Sequence, residues 1–430
     1  MQTVNIGKGR LLCLNTDKFK TELMTVTQAA PFERRDMGLC SLLCNVLKRG
    51  CRAYPTTADI NRRLDDLYDA NITMGCSTNG DSFISGITVE TLGRDFIHDG
   101  TDVLSGALDA VKQMMTEPLT DESGLFRPEY VEGEKQARID RFRSANSNPK
   151  ARSSLICQEL MFEGERYGQR IFYDEDEIKG IKNVDLAEYY KKSLSVSSPL
   201  YIYVGPRSQN EICQLISEKL SFFDGDNDPI FDTLIKPCSG EMKVGFDSMA
   251  VSQGKLTLGL RSDVSIGNDD VYAALVFNDI FGGSPSSKLF RNVREKLSLC
   301  YSCGSSYDFT KGIIFVRSGI ANENYDRATN EILHQLDDIQ KGNISQFEFE
   351  SAKKALVSGY RQVTDSAYAT ESFFRTRILC GCTDGIEETA QRIEQVTMSD
   401  VIEVAKRFGA EAVGFVRGEL EGEEADFDED

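Results

Sequence analysis

The spacing of apolar residues switches along the chain between the period of a strand and the period of a helix. Residues 23–27 read as a short strand, and GLCSLLCNVLKRGC, residues 38–51, follows as an amphipathic helix that ends at a glycine. The stretch 56–71 reads as a second helix with Thr57 as its N-cap. Four residues of this helix share one face and are predicted to be buried: Ile60, Leu64, Leu67 and Tyr68.

Four further elements complete the first half of the chain. Residues 72–92 read as two strands around a turn, and residues 102–115 read as a helix with one apolar face. A long charged helix is predicted over residues 129–143. The apolar run LYIYVG, residues 200–205, is predicted to close this half as a strand.

The second half repeats this order of elements at an offset of roughly 210 to 235 residues. A strand at 255–260 precedes a helix at 268–283, which has Asp269 near its N-cap and Gly282 as its stop. A helix at 284–297 is predicted to have Pro285 in its first turn. The remaining elements are a strand pair, two helices and a closing strand, at 301–320, 325–339, 344–363 and 412–418.

The repeat predicts an α+β fold of two homologous domains, each a mostly antiparallel sheet with helices packed on one face. A chain of 430 residues is also longer than one compact core usually holds. The predicted boundaries are an N-terminal domain at 1–222, a polar linker at 223–238, a C-terminal domain at 239–418 and an acidic disordered tail at 419–430.

The net charge of −19 argues against a nucleic acid as partner. No basic cluster in the sequence could contact a phosphate backbone along its length. The acidic balance is compatible with a basic or neutral peptide ligand. No apolar run is long enough to span a membrane, and the first residues lack the pattern of a secretory signal. A cytoplasmic protein is therefore expected.

Cysteine and histidine usage narrows the possible chemistry. Twelve cysteines are scattered through the chain, and reduced, half-buried thiols are the simplest interpretation. Cys300 and Cys303 form one CxxC and Cys380 and Cys382 one CxC, which is too little for a four-cysteine zinc site. Only two histidines are present, so most histidine-dependent catalysis is excluded.

Residues 277–320 resemble the C-terminal domain of the pitrilysin/insulinase family of zinc peptidases, the inverted zincins. The family pattern is a leucine- or phenylalanine-rich helix, a glycine pair and a small-residue turn, followed by LF…REK…L.Y. The matching residues here are Phe281, Gly282, Gly283, Leu289, Phe290, Arg294, Glu295, Lys296, Leu299 and Tyr301. The resemblance implies that Arg294 and Tyr301, seven residues apart, hold the backbone of a peptide substrate.

The resemblance also explains GLCSLLCNVLKRGC. Catalytic family members have a helix of the type GLAHFLEHMLFKGT, and the alignment without a gap places the first zinc histidine on Ser41, the catalytic glutamate on Cys44 and the second histidine on Asn45. If Glu134 matches a family glutamate, the third zinc ligand falls on Arg141. Serine, asparagine and arginine are not zinc ligands of this kind, so the resemblance implies a lost zinc site, no catalytic residue and no resident cofactor.

The resemblance implies a LuxS/metallohydrolase-like, processing-peptidase-type fold and a non-catalytic, substrate-binding subunit. Its partner would be a chain that bears HxxEH, and together the two would form a heterodimeric zinc peptidase for short or unfolded peptides. A bacterial subgroup of non-catalytic members shows this pairing. Two alternatives stay open: a peptidase-fold binding or scaffold protein, and an enzyme that holds zinc through Cys40, Cys44 and Cys51.

Overall fold

The computed structural model describes residues 2–228 and 233–419. They form two compact units, and each unit draws on both halves of the chain. Unit 1 comprises the described residues of Met1–Phe142, Arg170–Asp232 and Val363–Thr383, and unit 2 those of Arg143–Gln169, Thr233–Gln362 and Asp384–Asp430. The predicted boundaries at 222 and 239 stay a prediction about the sequence repeat. The predicted acidic tail lies outside the described residues from position 420 onward.

The helices and strands alternate along the chain. The strands are β1 Val4–Ile6, β2 Gly9–Asn15, β3 Thr21–Pro31, β4 Asn71–Asn79, β5 Ser82–Leu92, β6 Leu200–Gly205, β7 Lys243–Met249, β8 Gly254–Arg261, β9 Cys300–Asp308, β10 Ile313–Ile320 and β11 Gly409–Gly418. The α-helices are α1 Arg34–Leu47, α2 Thr57–Asp65, α3 Val103–Thr116, α4 Pro128–Asn146, α5 Pro149–Met161, α6 Glu175–Lys179, α7 Asn183–Ser193, α8 Gln209–Lys219, α9 Val271–Asn278, α10 Tyr325–Gln340, α11 Gln346–Gln362, α12 Ala367–Leu379, α13 Ile386–Gln395 and α14 Met398–Ala405.

Each unit contains one sheet, and the two sheets share a strand order. The sheet of unit 1 has the order β1-β2-β6-β3-β5-β4, and the sheet of unit 2 has the order β7-β11-β8-β10-β9. Only the β2–β6 and β7–β11 pairs are parallel. The predicted α+β fold with mostly antiparallel sheets is therefore confirmed, and the common strand order reflects the repeat in the sequence.

Both faces of each sheet carry helices. On one face of each sheet a large apolar core joins the strands to the helices of the same half of the chain. On the other face lies a single helix from the opposite half: α12 in unit 1 and α5 in unit 2. The structure thus adds one helix per sheet to the predicted arrangement. It also explains why the closing strands β6 and β11 are almost continuously apolar, since both of their faces are buried.

Helix α5 lies close to the sheet of unit 2 because three strands have glycine beneath it. A Cβ atom on Gly245, Gly259 or Gly414 would come within 3.0 Å of an atom of α5. Gly414 and Gly245 are direct partners in the β11–β7 register, so the glycines form a continuous shallow groove. In this groove the Cys157 thiol donates a hydrogen bond of 3.4 Å to the Ala412 carbonyl.

Three local predictions are wrong. The N-cap of α2 is Thr56 rather than Thr57, because the Thr56 hydroxyl accepts a hydrogen bond from the Asp59 backbone N–H in a capping box. The helix also ends at Asp65, and Tyr68 adopts a positive φ of 57° and is exposed rather than buried. Pro285 does not open a helix, because the next helical segment begins only at Leu289. None of the helices in the described residues is both long and apolar enough to cross a membrane.

Candidate functional site

The α1 positions that match a zinc-binding helix carry no zinc ligands. Ser41, Cys44 and Asn45 are all half-buried. The Asn45 amide nitrogen donates a hydrogen bond of 2.9 Å to the Ser41 carbonyl oxygen, so it is engaged within its own helix. The three positions therefore offer one hydroxyl, one thiol and one amide, and no carboxylate that could take a proton from water.

Three thiols gather beside this face of α1. The Cys40 and Cys44 sulfurs are 4.0 Å apart, and the Cys76 thiol on β4 donates a hydrogen bond of 3.8 Å to the Met37 carbonyl. The hydrogen bond with Cys44, together with burial, raises the pKa of Cys40 far above its usual range. The hydrogen bond with Cys40 and burial likewise raise the pKa of Cys76. Protonated thiols are poor metal ligands.

The alternative zinc set is not assembled. Cys51 is buried, and its backbone N–H donates to the Tyr54 carbonyl at 2.8 Å. Burial raises the pKa of the Cys51 thiol. Across residues 2–228 and 233–419, no three His, Cys, Asp or Glu side chains form a group that could hold a metal ion. All twelve cysteines, each within those ranges, are free thiols.

Cys40 and Cys44 also line a small cavity of about 40 Å³ between α1 and its sheet. The lining is largely apolar and includes Leu43, Leu47, Met74 and Ile87. A carboxylate at position 44 would therefore lose hydration on a side that is lined mainly by apolar residues. The surroundings of Cys44 suit a thiol better than they suit a general base.

The predicted third ligand position lies in a group of arginines on and near α4. Glu134 is buried and accepts a hydrogen bond of 2.6 Å from Arg49. Arg141 contributes a looser ion pair, with 3.9 Å between its Nη2 and the Glu134 Oε2. Arg138, one turn before Arg141, lies with its guanidinium 5.3 Å from the centre of the Phe172 ring. A cation such as zinc would be repelled here.

In unit 2, Arg294 lies on an unusual helical segment. Helix α9 continues as a π-helical turn over Asp279–Gly283, and a second π-helical segment follows over Leu289–Lys296. Such segments are rare and frequently occur at functional sites. The exposed Arg294 guanidinium lies over the Phe290 ring, 4.5 Å from its centre. This stacking fixes the direction of a side chain that would otherwise be free in solvent.

Tyr301 occupies a β-bulge at the start of β9. Cys300 pairs with Ile320 and Ser302 pairs with Gly319, so Tyr301 between them has no partner in the β10 register. Its side chain is 71% exposed, although β9 is otherwise partly buried. The preceding Ser298 has a positive φ of 50°, which turns the chain sharply from the π-helical segment into the strand.

The bulge also turns two thiols inward and places Arg294 beside the strand. Cys300 and Cys303 both lie in the core of unit 2 because the extra residue brings them to the same face. The hydrogen bond from Cys303 lowers the pKa of Cys300 to about 7 despite burial, and the nearby charge of Arg294 contributes. Arg294 therefore lies close to the first residues of β9, where Tyr301 is exposed.

The glycine pair of the motif has a packing role. A Cβ atom on Gly282 would come within 2.8 Å of the Ser305 backbone nitrogen and within 2.7 Å of the Leu289 side chain. Only glycine lets the π-helical turn approach β9 this closely. The Ser305 hydroxyl in turn donates a hydrogen bond of 2.8 Å to the Asn278 side-chain oxygen. These contacts join the turn to the strand that carries Tyr301.

One buried carboxyl in this turn lacks a full set of partners. Within the described chain the Asp279 Oδ2 has no hydrogen-bond partner. Burial raises the pKa of Asp279 to about 6. In the unfolded chain the pKa of an aspartate is about 3.9, so the folded state binds this proton more tightly. The protonated Asp279 therefore stabilises the fold. This contribution is complete below the pKa of Asp279 in the unfolded chain and is lost as the pH rises through its pKa in the folded protein.

We expect the Asp279→Asn variant to gain stability over the wild type as the pH rises from 5 to 8. The free energy of unfolding of the variant, relative to that of the wild type, should rise by roughly 1–2 kcal/mol over this range, because the variant no longer carries a carboxyl that ionises there. Urea denaturation at both pH values measures it, with the exposed Glu295→Gln as control. A difference in stability that does not depend on pH would contradict the assignment of the proton to Asp279.

Comparison with known proteins identifies the family to which this geometry is related. The family model of the peptidase M16 inactive domain matches residues 181–356, a range that includes Arg294 and Tyr301. The probable inactive metalloprotease YmfF of Bacillus subtilis is 26% identical over 412 residues, which cover 94% of this chain and 95% of YmfF. The chain resembles inactive M16 peptidases. The predicted resemblance to the pitrilysin/insulinase family, which is the M16 family, is therefore confirmed.

Solved structures agree with this relationship. A conserved protein from Enterococcus faecalis has a TM-score of 0.88 and 27% identity, over 98% of this chain and 99% of that one. A peptidase M16 inactive domain from Pseudomonas fluorescens has a TM-score of 0.77 and 16% identity, over 97% and 98% of the two chains, and shows the shared fold. Together the comparisons show a resemblance to inactive M16 peptidases over nearly the whole chain.

The candidate residues therefore form two groups. Ser41, Cys44, Asn45 and Arg141 belong to unit 1, and Arg294 and Tyr301 belong to unit 2. The sequence did not point to Arg138 or to the bulge at Tyr301. For Arg138 a signal exists, because Arg138 and Arg141 are three residues apart and so share one face of α4. The bulge has no such signal, since it arises from the β10 register.

Proposed function

We propose that this chain is the non-catalytic, substrate-binding subunit of a heterodimeric zinc metallopeptidase that acts on short or unfolded peptides. Its partner is a zinc-peptidase chain that carries HxxEH. The observation that carries the proposal is that Tyr301 is exposed at a β-bulge close to Arg294, whose guanidinium lies over the Phe290 ring. On the same chain, the positions that match the zinc-binding helix hold Ser41, Cys44 and Asn45. A chain that carries the substrate-binding pair of the family without its metal ligands suits such a division of labour.

The geometry of β9 supports peptide binding. β9 is the outer strand of its sheet, so one side of its backbone is not used by a neighbouring strand of that sheet. An extended peptide can add its own backbone hydrogen bonds along such a side. The Tyr301 hydroxyl and the Arg294 guanidinium would donate further hydrogen bonds to peptide carbonyls. We also propose that this protein acts in the cytoplasm, as the sequence predicts.

The test is a purification of the tagged chain from its native cells under mild conditions. We expect a second chain bearing HxxEH in equal amount, and zinc-dependent peptide cleavage in the same fraction. Arg294→Ala and Tyr301→Phe should each reduce kcat/KM at least about tenfold, because each removes a hydrogen-bond donor to the substrate. Arg291→Ala, an exposed arginine on the same π-helical segment, is the matched control and should have little effect.

Two outcomes would count against the proposal. If the second chain co-purifies but neither variant changes cleavage, Arg294 and Tyr301 do not bind the substrate. If no such chain and no cleavage are found, the protein is a peptidase-fold binding or scaffold protein. Both variants lie on the surface and should fold normally, so a loss of cleavage can be separated from a loss of structure by their melting temperatures.

A further inference from the structure

Arg138 is a half-buried cation without an anionic partner. Within residues 2–228 and 233–419 its guanidinium makes no ion pair and no hydrogen bond, and its close neighbour is the Phe172 ring. Burial and the charge of Arg141 lower the pKa of Arg138. A guanidinium in this state has lost hydration without compensation, which costs stability. A protein with a net charge of −19 has many carboxylates, yet within the described residues none pairs with Arg138.

The surrounding charges leave an excess of positive charge. The charge of Arg138 interacts with that of Arg141, and Arg141 and Arg49 share one buried carboxylate, that of Glu134. Arg49 makes the close contact with it, and Arg141 is at 3.9 Å. Arg138 and Arg141 repel each other, which again costs stability. Such an arrangement gains most from an added anion that both guanidinium groups can reach.

The location links these arginines to the degenerate zinc helix. Arg138 interacts electrostatically with Cys76, which lies on β4, the outer strand of the unit 1 sheet. The Cys76 thiol contacts Met37 on α1 and is hydrogen-bonded to Cys40. The Arg138–Arg141 pair therefore lies near α1 and near the outer strand of the unit 1 sheet.

We propose that the Arg138–Arg141 pair binds a carboxylate of the peptide ligand. This inference rests on the proposed peptide-binding function and names the chemistry that it recognises. Arginine matches a carboxylate through two parallel N–H···O hydrogen bonds, and partial burial strengthens them. The carboxylate belongs either to an Asp or Glu side chain or to the C-terminus of the peptide. The net charge of the chain had favoured basic or neutral peptides, whereas the charge at this position favours an acidic group.

The test is peptide binding by the full chain, measured by fluorescence anisotropy at constant ionic strength. A peptide with one central Glu is compared with its Gln analogue, each with a free or an amidated C-terminus. For one of the two carboxylates, the Glu side chain or the free C-terminus, we expect the wild type to bind the peptide that carries it about tenfold more tightly than the matched peptide that lacks it. This preference should vanish in Arg138→Gln and weaken in Arg138→Lys. Arg62→Gln, which removes an equal charge from the exposed face of α2, should keep the preference.

A second readout separates this inference from the proposed function. Removal of an uncompensated cation should raise the melting temperature of the free protein, so Arg138→Gln should be more stable than the wild type. Glutarate should stabilise the wild type and leave Arg138→Gln unchanged. If no peptide binds but glutarate acts through Arg138, the peptide function fails and the carboxylate site stands. Equal binding of acidic and neutral peptides, or a glutarate effect that persists in Arg138→Gln, would overturn the carboxylate site.

Discussion

Replacing Glu165 with glutamine should lower the free energy of unfolding by about 3–5 kcal/mol. The Glu165 side chain is buried in unit 2 and faces three cations. Arg261 is 2.8 Å from its Oε1, Lys236 is 3.1 Å from the same oxygen, and Lys311 is 3.3 Å from Oε2. Arg261 and Lys311 are themselves buried, so loss of the carboxylate leaves two desolvated cations without their main counter-charge.

The pH dependence of this variant gives an independent check. Burial alone would raise the pKa of Glu165, but the hydrogen bonds from Arg261 and Lys236 outweigh it and lower the pKa. The ion pairs therefore stabilise the fold above the pKa of an unfolded glutamate, about 4.3, and this contribution is lost as the pH falls through the lower folded value. The difference in the free energy of unfolding between the wild type and Glu165→Gln should therefore become smaller at acidic pH.

Chemical denaturation at pH 7 measures the effect of Glu165→Gln. The control is Glu163→Gln, two residues away, where an exposed carboxylate pairs with Lys243 on the surface. Exposed ion pairs contribute little to stability, so the denaturation midpoint of Glu163→Gln should stay close to that of the wild type. Equal effects of the two substitutions would show that the buried network around Glu165 is not what stabilises unit 2.

Replacing Gly414 with alanine should destabilise the fold by about 2–3 kcal/mol. The new Cβ would lie well within 3.0 Å of both the Ser153 carbonyl oxygen and the Cys157 backbone nitrogen on α5. These are backbone atoms of a helix, so they cannot move aside as a flexible side chain could. Helix α5 must shift away from β11, which weakens the hydrogen bond between the Ser153 and Thr257 hydroxyls and the packing of Met161 and Phe162.

A second glycine provides the matched control for this experiment. Gly359 lies within α11, and a Cβ atom there would have no neighbour within 4 Å. Gly359→Ala should therefore stabilise the protein by about 0.5–1 kcal/mol, since alanine is the better helix former. Thermal denaturation of the two variants should give changes of opposite sign. A neutral Gly414→Ala would show that α5 does not depend on the glycine groove.

The sequence predicted the repeated elements well because each has a clear apolar period. The closing strand β6 matches its predicted range, whereas β11 begins three residues earlier and α1 lies four residues earlier than predicted. The placement of α5 and α12 on the sheets of the opposite halves could not be predicted. For α5 the placement depends on glycines of β7, β8 and β11 that lie beneath the same helix, and single glycines in separate strands give no sign of that before the register is known.

The candidate sites were predictable to different degrees. The substituted zinc positions and the Arg294–Tyr301 pair came from aligned motifs, which need only sequence. The bulge that exposes Tyr301, the π-helical turn around Asp279 and the excess of arginine near α4 depend on tertiary contacts. The net charge of the chain was a poor guide to local charge, because averaging over 430 residues hides a small basic group.

The central claim is that this chain contributes peptide binding but no catalysis, and a zinc and hydrolysis assay tests it most directly. The chain purified alone and the same chain purified with its HxxEH-bearing partner are assayed side by side for bound zinc and peptide cleavage, with and without a chelator. We expect zinc and chelator-sensitive cleavage only in the complex, with cleavage reduced by Arg294→Ala. Stoichiometric zinc and cleavage by the chain alone would contradict it.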